Sequence, residues 1–120
     1  MQNNKLIGDL GFIITKAPLE SSFSSTFLEL AINVSNDKKS VGFFLISDGV
    51  FFVKKNQKNN PFSLIKKLQE KNVEIIVSKE HLESAGISDT ELIPRLSITN
   101  KSYDELVDFV MEKYRRVITL

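Results

Sequence analysis

A chain of 120 residues with 42% apolar and 26% charged side chains has the composition of one soluble globular domain, long enough for a proper core and too short for two. Sixteen basic against fifteen acidic residues leave a net charge of +1, without the clustered basic surface that nucleic-acid binding needs. Zero cysteines exclude disulfides, thiolate metal sites and a cysteine nucleophile of the chain's own.

The first residues, Met1 to Lys5, lack the pattern of a signal peptide, and no stretch approaches the roughly 18 apolar residues of a membrane span. Leu10–Thr15 reads as a first strand, apolar on both faces. Pro18 keeps the residue before it out of a helix. A helix is expected from Ser21-Ser22 to about Ser35, with Phe23, Phe27, Leu30, Ala31 and Val34 on one apolar face. Leu28 and Ile32 fall off that face and predict a second buried side.

The second strand, from Ser40, is apolar with almost no alternation and stops at Asp48-Gly49. Strands apolar on both sides must be covered on both faces, the habit of parallel sheets flanked by helices. Val50-Phe51-Phe52-Val53 and a polar Lys/Asn loop follow. Asn60 as cap and Pro61 at the first helical position open a helix carrying Phe62, Ile65 and Leu68 inward, with Asn72 suited to its end. Val73–Val77 is a third strand, rich in β-branched residues. Ser78 caps a short helix to Ala85, closed by Gly86 in the left-handed conformation.

Ser88-x-x-Glu91 is a capping box, Pro94 ends its turn, and Arg95–Ile98 is a fourth strand. A second box, Ser102-x-x-Glu105, opens the most regular amphipathic helix of the chain, with Tyr103, Leu106, Val107, Val110, Met111 and Tyr114 as its apolar face. Arg115 and Arg116 suit its negative end, and Val117–Leu120 is a last strand. The alternating order predicts a three-layer α/β/α sandwich around a mostly parallel sheet of about five strands.

In such sheets ligands sit outside the carboxyl ends of the strands, which singles out Asp48 and Gly49. Asp-Gly is also ordinary turn chemistry. The serines at Ser21 and Ser22 offer donors to an anion at a helix start, although satisfying the helix's own orphan donors explains them as well. Gly8-x-x-Gly11 precedes its strand instead of following it, so it is not a dinucleotide motif. His81, the one histidine, lacks partners for a metal site. Lys54, Lys55 and Lys58 read as a solvated loop. Ser78, His81 and Asp48 make a triad only on paper, because no Gly-x-Ser-x-Gly turn presents a nucleophile.

Three segments together resemble the DsrE/DsrF/DsrH-like family, the small sulfur-relay proteins that include the TusB, TusC and TusD subunits. They are the loop and helix around Pro18-Leu19-Glu20-Ser21-Ser22, the strand closing on Ser47-Asp48-Gly49-Val50, and Val73 to Ile87 with Glu80-x-Leu82-Glu83-x-x-Gly86-Ile87. The ending from Ser102 to Thr119 also fits, so the resemblance spans most of residues 1–120 as a single domain. It implies a persulfide-carrying cysteine at the end of the third strand, where this chain has Ser78. An alcohol cannot form a persulfide.

The resemblance therefore implies a non-catalytic member, structural or regulatory. Its partners would be itself or cysteine-bearing sulfur-relay paralogues, in trimers, hexamers or mixed assemblies, with no cofactor, nucleic acid or membrane. Leu28, Ile32, Phe51 and Phe52 are the expected interface residues. The other readings are a small-ligand or anion-binding module using Ser21, Ser22, Asp48, Gly49 and Ser78, and an enzyme using Ser78 or Asp48. If the family's pocket persists, Ser78→Cys is expected to give an unusually reactive thiol.

Overall fold

The computed structural model describes residues 8–19, 24–71 and 73–120. Five strands, β1 (Gly8–Ile14), β2 (Val41–Leu45), β3 (Glu74–Ser78), β4 (Ser97–Thr99) and β5 (Tyr114–Thr119), form one sheet in the order β4-β3-β2-β1-β5. Every pairing is parallel. The helices are α1 (Ser24–Asn36), α2 (Asn60–Gln69), α3 (Lys79–Ser84) and α4 (Ser102–Asp108). The α/β class and the parallel five-stranded sheet are as the sequence predicts.

The strand order decides how the two faces are covered. From β1 to β4 the chain steps in one direction across the sheet, and right-handed crossovers keep the connecting helices on one side. The last crossover runs back from one edge to the other, so the same handedness puts α4 on the opposite side. The first face therefore carries a large core, with Phe12, Phe43, Leu45, Leu28, Phe52, Ile65 and Leu82 among its buried residues. The second carries a small one: Ile13, Phe44, Ile76, Phe109 and Tyr114. One helix covers the second face, whereas α1, α2, α3 and the segment Ser47–Val53 cover the first.

That helix differs from its expected form. Regular α-helix stops at Asp108, a π turn runs from Phe109 to Lys113, and Tyr114 already begins β5. Arg115 and Arg116 accordingly lie on a strand and not at a helix end. The inward residues are Phe109, fully buried, and Leu106, half-buried, whereas Tyr103, Val107, Val110 and Met111 are exposed. Four of the six residues of the expected apolar face thus point away from the sheet, and only Leu106 and Tyr114 turn inward. The inward place is taken by aromatic packing: Phe109 meets Phe44 edge-on at 5.5 Å and Tyr114 at 4.7 Å.

Glycines make room for these rings. A Cβ on Gly42 would lie 1.8 Å from the Tyr114 Oη, one on Gly8 2.2 Å from the same ring, and one on Gly11 2.8 Å from Phe109. The Gly8-x-x-Gly11 pair is part of this notch. Within it the Tyr114 hydroxyl donates to Glu74 Oε1 at 3.0 Å, and Lys113 Nζ lies 3.6 Å from Glu74 Oε2.

Burial first, and then the neighbouring Glu74 carboxylate, raise the Tyr114 phenol far above its ordinary pKa of about 10. A group whose folded pKa is raised holds its full contribution below the unfolded value and loses it as pH climbs toward the folded one. Stability is therefore expected to fall with rising pH from about pH 10. In a Tyr103→Phe background, the phenolate absorbance of Tyr114 should appear only together with loss of far-ultraviolet dichroism. Phenolate formation in the intact fold would contradict this.

Other local readings shift by small amounts. The cap of α2 is Asn59, whose side chain accepts from Phe62 N at 2.8 Å, one residue before the expected Asn60. Gly86 has φ +75° and closes α3, with Ile87 N bonded to Leu82 O, as expected. The box at Ser88 and Glu91 is present; bonds from Ser88, with help from Lys54, hold the Glu91 carboxyl below its usual pKa. The second box does not form: Ser102 is the first helical residue, the cap position falls on Lys101, and the Ser102 hydroxyl is bonded to Ser78. In α1 the fully buried residues are Leu28 and Ala31, while Leu30 is exposed. Ser21, Ser22, Phe23 and Asn72 lie outside the described residues.

Candidate functional site

The carboxyl edge of the sheet is built from the ends of β2 and β3 and the start of α4. Beyond β2 the chain does not continue as a strand. It turns at Ser47, a non-glycine residue at φ +50°, into a 3₁₀ segment from Ser47 to Val53 that folds back on the sheet. Gly49 permits that turn through its missing side chain, since a Cβ there would lie 2.0 Å from the Ile14 carbonyl oxygen. Its N–H donates to Ile46 O at 2.8 Å. Gly49 is thus buried and spent on packing, while Asp48 beside it is exposed.

The same fold-back corrects the interface expectation. Phe52 and Leu28 are buried in the protein's own large core, and Phe51 and Ile32 pack half-buried against it. Val50-Phe51-Phe52-Val53 looks like an exposed apolar run in the sequence because nothing local shows that the 3₁₀ turn doubles it inward. Of the four expected interface residues, Leu28 and Phe52 have no surface left to offer a partner.

Ser78 ends β3, as expected, and caps α3 by accepting from His81 N at 3.3 Å. Its hydroxyl also lies 2.6 Å from the hydroxyl of Ser102, the first residue of α4. Both side chains are buried, Ser78 completely. The pair occupies a particular place in the topology. The connection leaving β3 goes to the large-core face and the one leaving β4 goes to the other, so the chain parts between these neighbouring strands. Open α/β sheets place ligands at such a parting. Here two hydroxyls satisfy one another and close it.

His81 ties the rim together from the other side. Its Nδ1 accepts the N–H of Ser47 at 2.9 Å, which assigns the neutral ring's proton to Nε2, 4.0 Å from Glu80 Oε1. Ser47, Asp48, Phe51, His81, Ser84 and Ala85 line an open cleft of about 240 Å³. Of the residues expected at a ligand site, the cleft gathers Asp48; Ser78 is not in its wall. The paper triad therefore does not assemble, because the Ser78 hydroxyl faces Ser102 and the His81 acceptor nitrogen faces a backbone amide. Among the described residues no group of three or more histidine, cysteine, aspartate or glutamate side chains could hold a metal ion.

Lys54 and Lys55 belong to a stitched loop and not to a free rim. Lys54 Nζ lies 3.8 Å from Glu91, and Lys55 N donates to Glu91 O at 2.8 Å. Sequence reading missed Ser102 as a partner of the third strand, since the only local sign it gives is that of a helix start.

The fold defines the class: a small parallel α/β sandwich whose carboxyl edge carries a buried pair of serines at the end of the third strand. The model of the DsrE/DsrF-like family matches residues 9–120, and the chain belongs to that family. Among solved structures, the ychN protein from E. coli is similar with a TM-score of 0.81 and 24% identity, covering 94% of this chain and 99% of that one. MTH1491 from Methanobacterium thermoautotrophicum, described as a protein of unknown function, is similar with a TM-score of 0.71 and 17% identity, covering 91% and 98%. At these identities the two structures bear on fold alone. No curated protein matches the chain. Among the described residues no helix is long and apolar enough to cross a membrane.

Proposed function

We propose that this chain is a non-catalytic, cytoplasmic member of the DsrE-like sulfur-relay family, which acts as a structural or regulatory subunit through oligomerisation or partner binding. One observation carries the reading. At the end of β3, where the resemblance places a persulfide carrier, the chain has a fully buried serine bonded to a second serine, and it has no cysteine anywhere. A carrier must present a thiolate to its donor and accept sulfur on it. A buried hydroxyl does neither.

The test is reconstitution with cysteine-bearing members of the family. Light scattering after size exclusion should find this chain in an assembly with itself or with such a member. Persulfide transfer through the cysteine-bearing protein should change in rate by several-fold when the chain is present. A strict monomer that joins no such member and leaves the transfer rate unchanged would refute the proposal.

A further inference from the structure

The outward side of α4 and its π turn has two parallel rows. Tyr103, Val107 and Met111 recur every four residues and are 68%, 61% and 72% exposed, with Val110 beside them at 41%. Asp104, Asp108 and Glu112 recur at the same interval one position on. Side chains four apart stack on one helical face. An α-helix drifts slowly with that interval, and the wider π turn drifts the other way, so the rows stay in line.

Neither row is satisfied within the described residues. The apolar row covers nothing, since Leu106 and Phe109 face the sheet. None of the three acids forms an ion pair. Like charges four apart repel, and a cation row from outside would relieve them. Lys113, at the end of the π turn, is already paired with Glu74.

A second copy does not fit this surface. Laid against itself, the helix offers acids to acids, and its partner helix has no row of lysines or arginines. The other exposed large apolar residues, Leu19, Leu30 and Ile98, sit singly on a loop, on α1 and on β4. We propose that this face docks a basic amphipathic helix of a different protein, with an apolar row against Tyr103, Val107 and Met111 and a lysine or arginine row against Asp104, Asp108 and Glu112. The proposal rests on the reading of the chain as a partner-binding subunit, for which it assigns the face, and its test uses no sulfur chemistry.

The probe is a labelled synthetic helix with a leucine row beside a lysine row, titrated with the full chain by fluorescence anisotropy. Saturable binding that weakens with salt is expected, at least tenfold weaker for Val107→Asp and for Met111→Asp. Both substitutions are at exposed positions, and unchanged dichroism would show the fold intact. Replacing Asp104, Asp108 and Glu112 by lysine should abolish binding of this probe and create binding of a probe with a glutamate row. Equal binding of both probes to the unaltered chain, or no binding of the lysine probe, would overturn the proposal. So would self-association that Val107→Asp dissolves. Docking of the probe without any effect on sulfur transfer would leave this face standing and count against the relay reading alone.

Discussion

Gly42→Ala is expected to destabilise the protein by about 3 kcal/mol, the upper end of the range for overpacked cores, and to lower its melting midpoint by roughly 10 °C. The added methyl would lie 1.8 Å from the Tyr114 hydroxyl and 2.4 Å from the carbon that bears it. The ring has little freedom to move. It rests on Phe109, its hydroxyl is bonded to Glu74, and its own backbone is hydrogen-bonded as the first residue of β5. Relief would have to come from a shift of the strand or of the whole helix layer.

Gly86→Ala is the control. It places a side chain at φ +75° with nothing within 4 Å, so its cost is conformational alone, about 1–2 kcal/mol. A double-mutant cycle separates the mechanisms. Once Tyr114→Leu has vacated the notch, Gly42→Ala should cost at least 1 kcal/mol less than it does with the tyrosine present. Strict additivity, or a Gly42→Ala protein as stable as the parent, would show that the second layer of the sandwich is looser than the packing implies.

The second large effect concerns the end of β3. Ser78→Cys should produce a thiol that is strongly protected, the reverse of the reactive thiol expected from the sequence. The parent has no cysteine, so each variant carries a single thiol and its rate with an aromatic disulfide reagent is unambiguous. Ser78 is fully buried and capped by Ser102, so attack requires local opening. If that opening costs about 4 kcal/mol, reaction should be roughly a thousandfold slower than in the denatured chain.

Ser84→Cys, at an exposed position in the wall of the neighbouring cleft, supplies the accessible reference. Adding Ser102→Gly to Ser78→Cys should speed the reaction about tenfold if Ser102 is the lid, the gain for an opening made easier by about 1.4 kcal/mol. A Ser78→Cys thiol as fast as that of Ser84→Cys would place the seat open to solvent and remove the main structural support for a sealed site.

Chemistry of this kind separates what a linear pattern can carry from what it cannot. The strands are legible because an apolar run without alternation has only one stable setting, between two covering layers, and this holds for Phe43-Phe44-Leu45 and Ile75-Ile76-Val77 alike. Gly86 and Pro61 are legible too, because backbone geometry at a helix end is a property of the residue itself. The carboxyl edge is less so. Asp48-Gly49 stands out in the sequence for its position, but Gly49 is there because the Ile14 carbonyl leaves no space for a side chain, and Ile14 is 35 residues away in the chain.

The helix before β5 shows most clearly where the boundary falls. By itself the sequence determined that Ser102 to Met111 carries apolar rows at helical spacing, that the chain is of the parallel α/β class, and that no thiol is present. Which apolar row turns inward was decided only by tertiary structure. Hydrophobic periodicity counts side chains along one helix and says nothing of the surface opposite. That surface has a notch left by three glycines from two strands, shaped for aromatic rings, and Phe109 with Tyr114 fills it where Val107 and Met111 would not. The rows displaced outward, and the pairing of Ser78 with a serine at the start of the last crossover, follow from that choice and from the single handedness of the chain's return across the sheet.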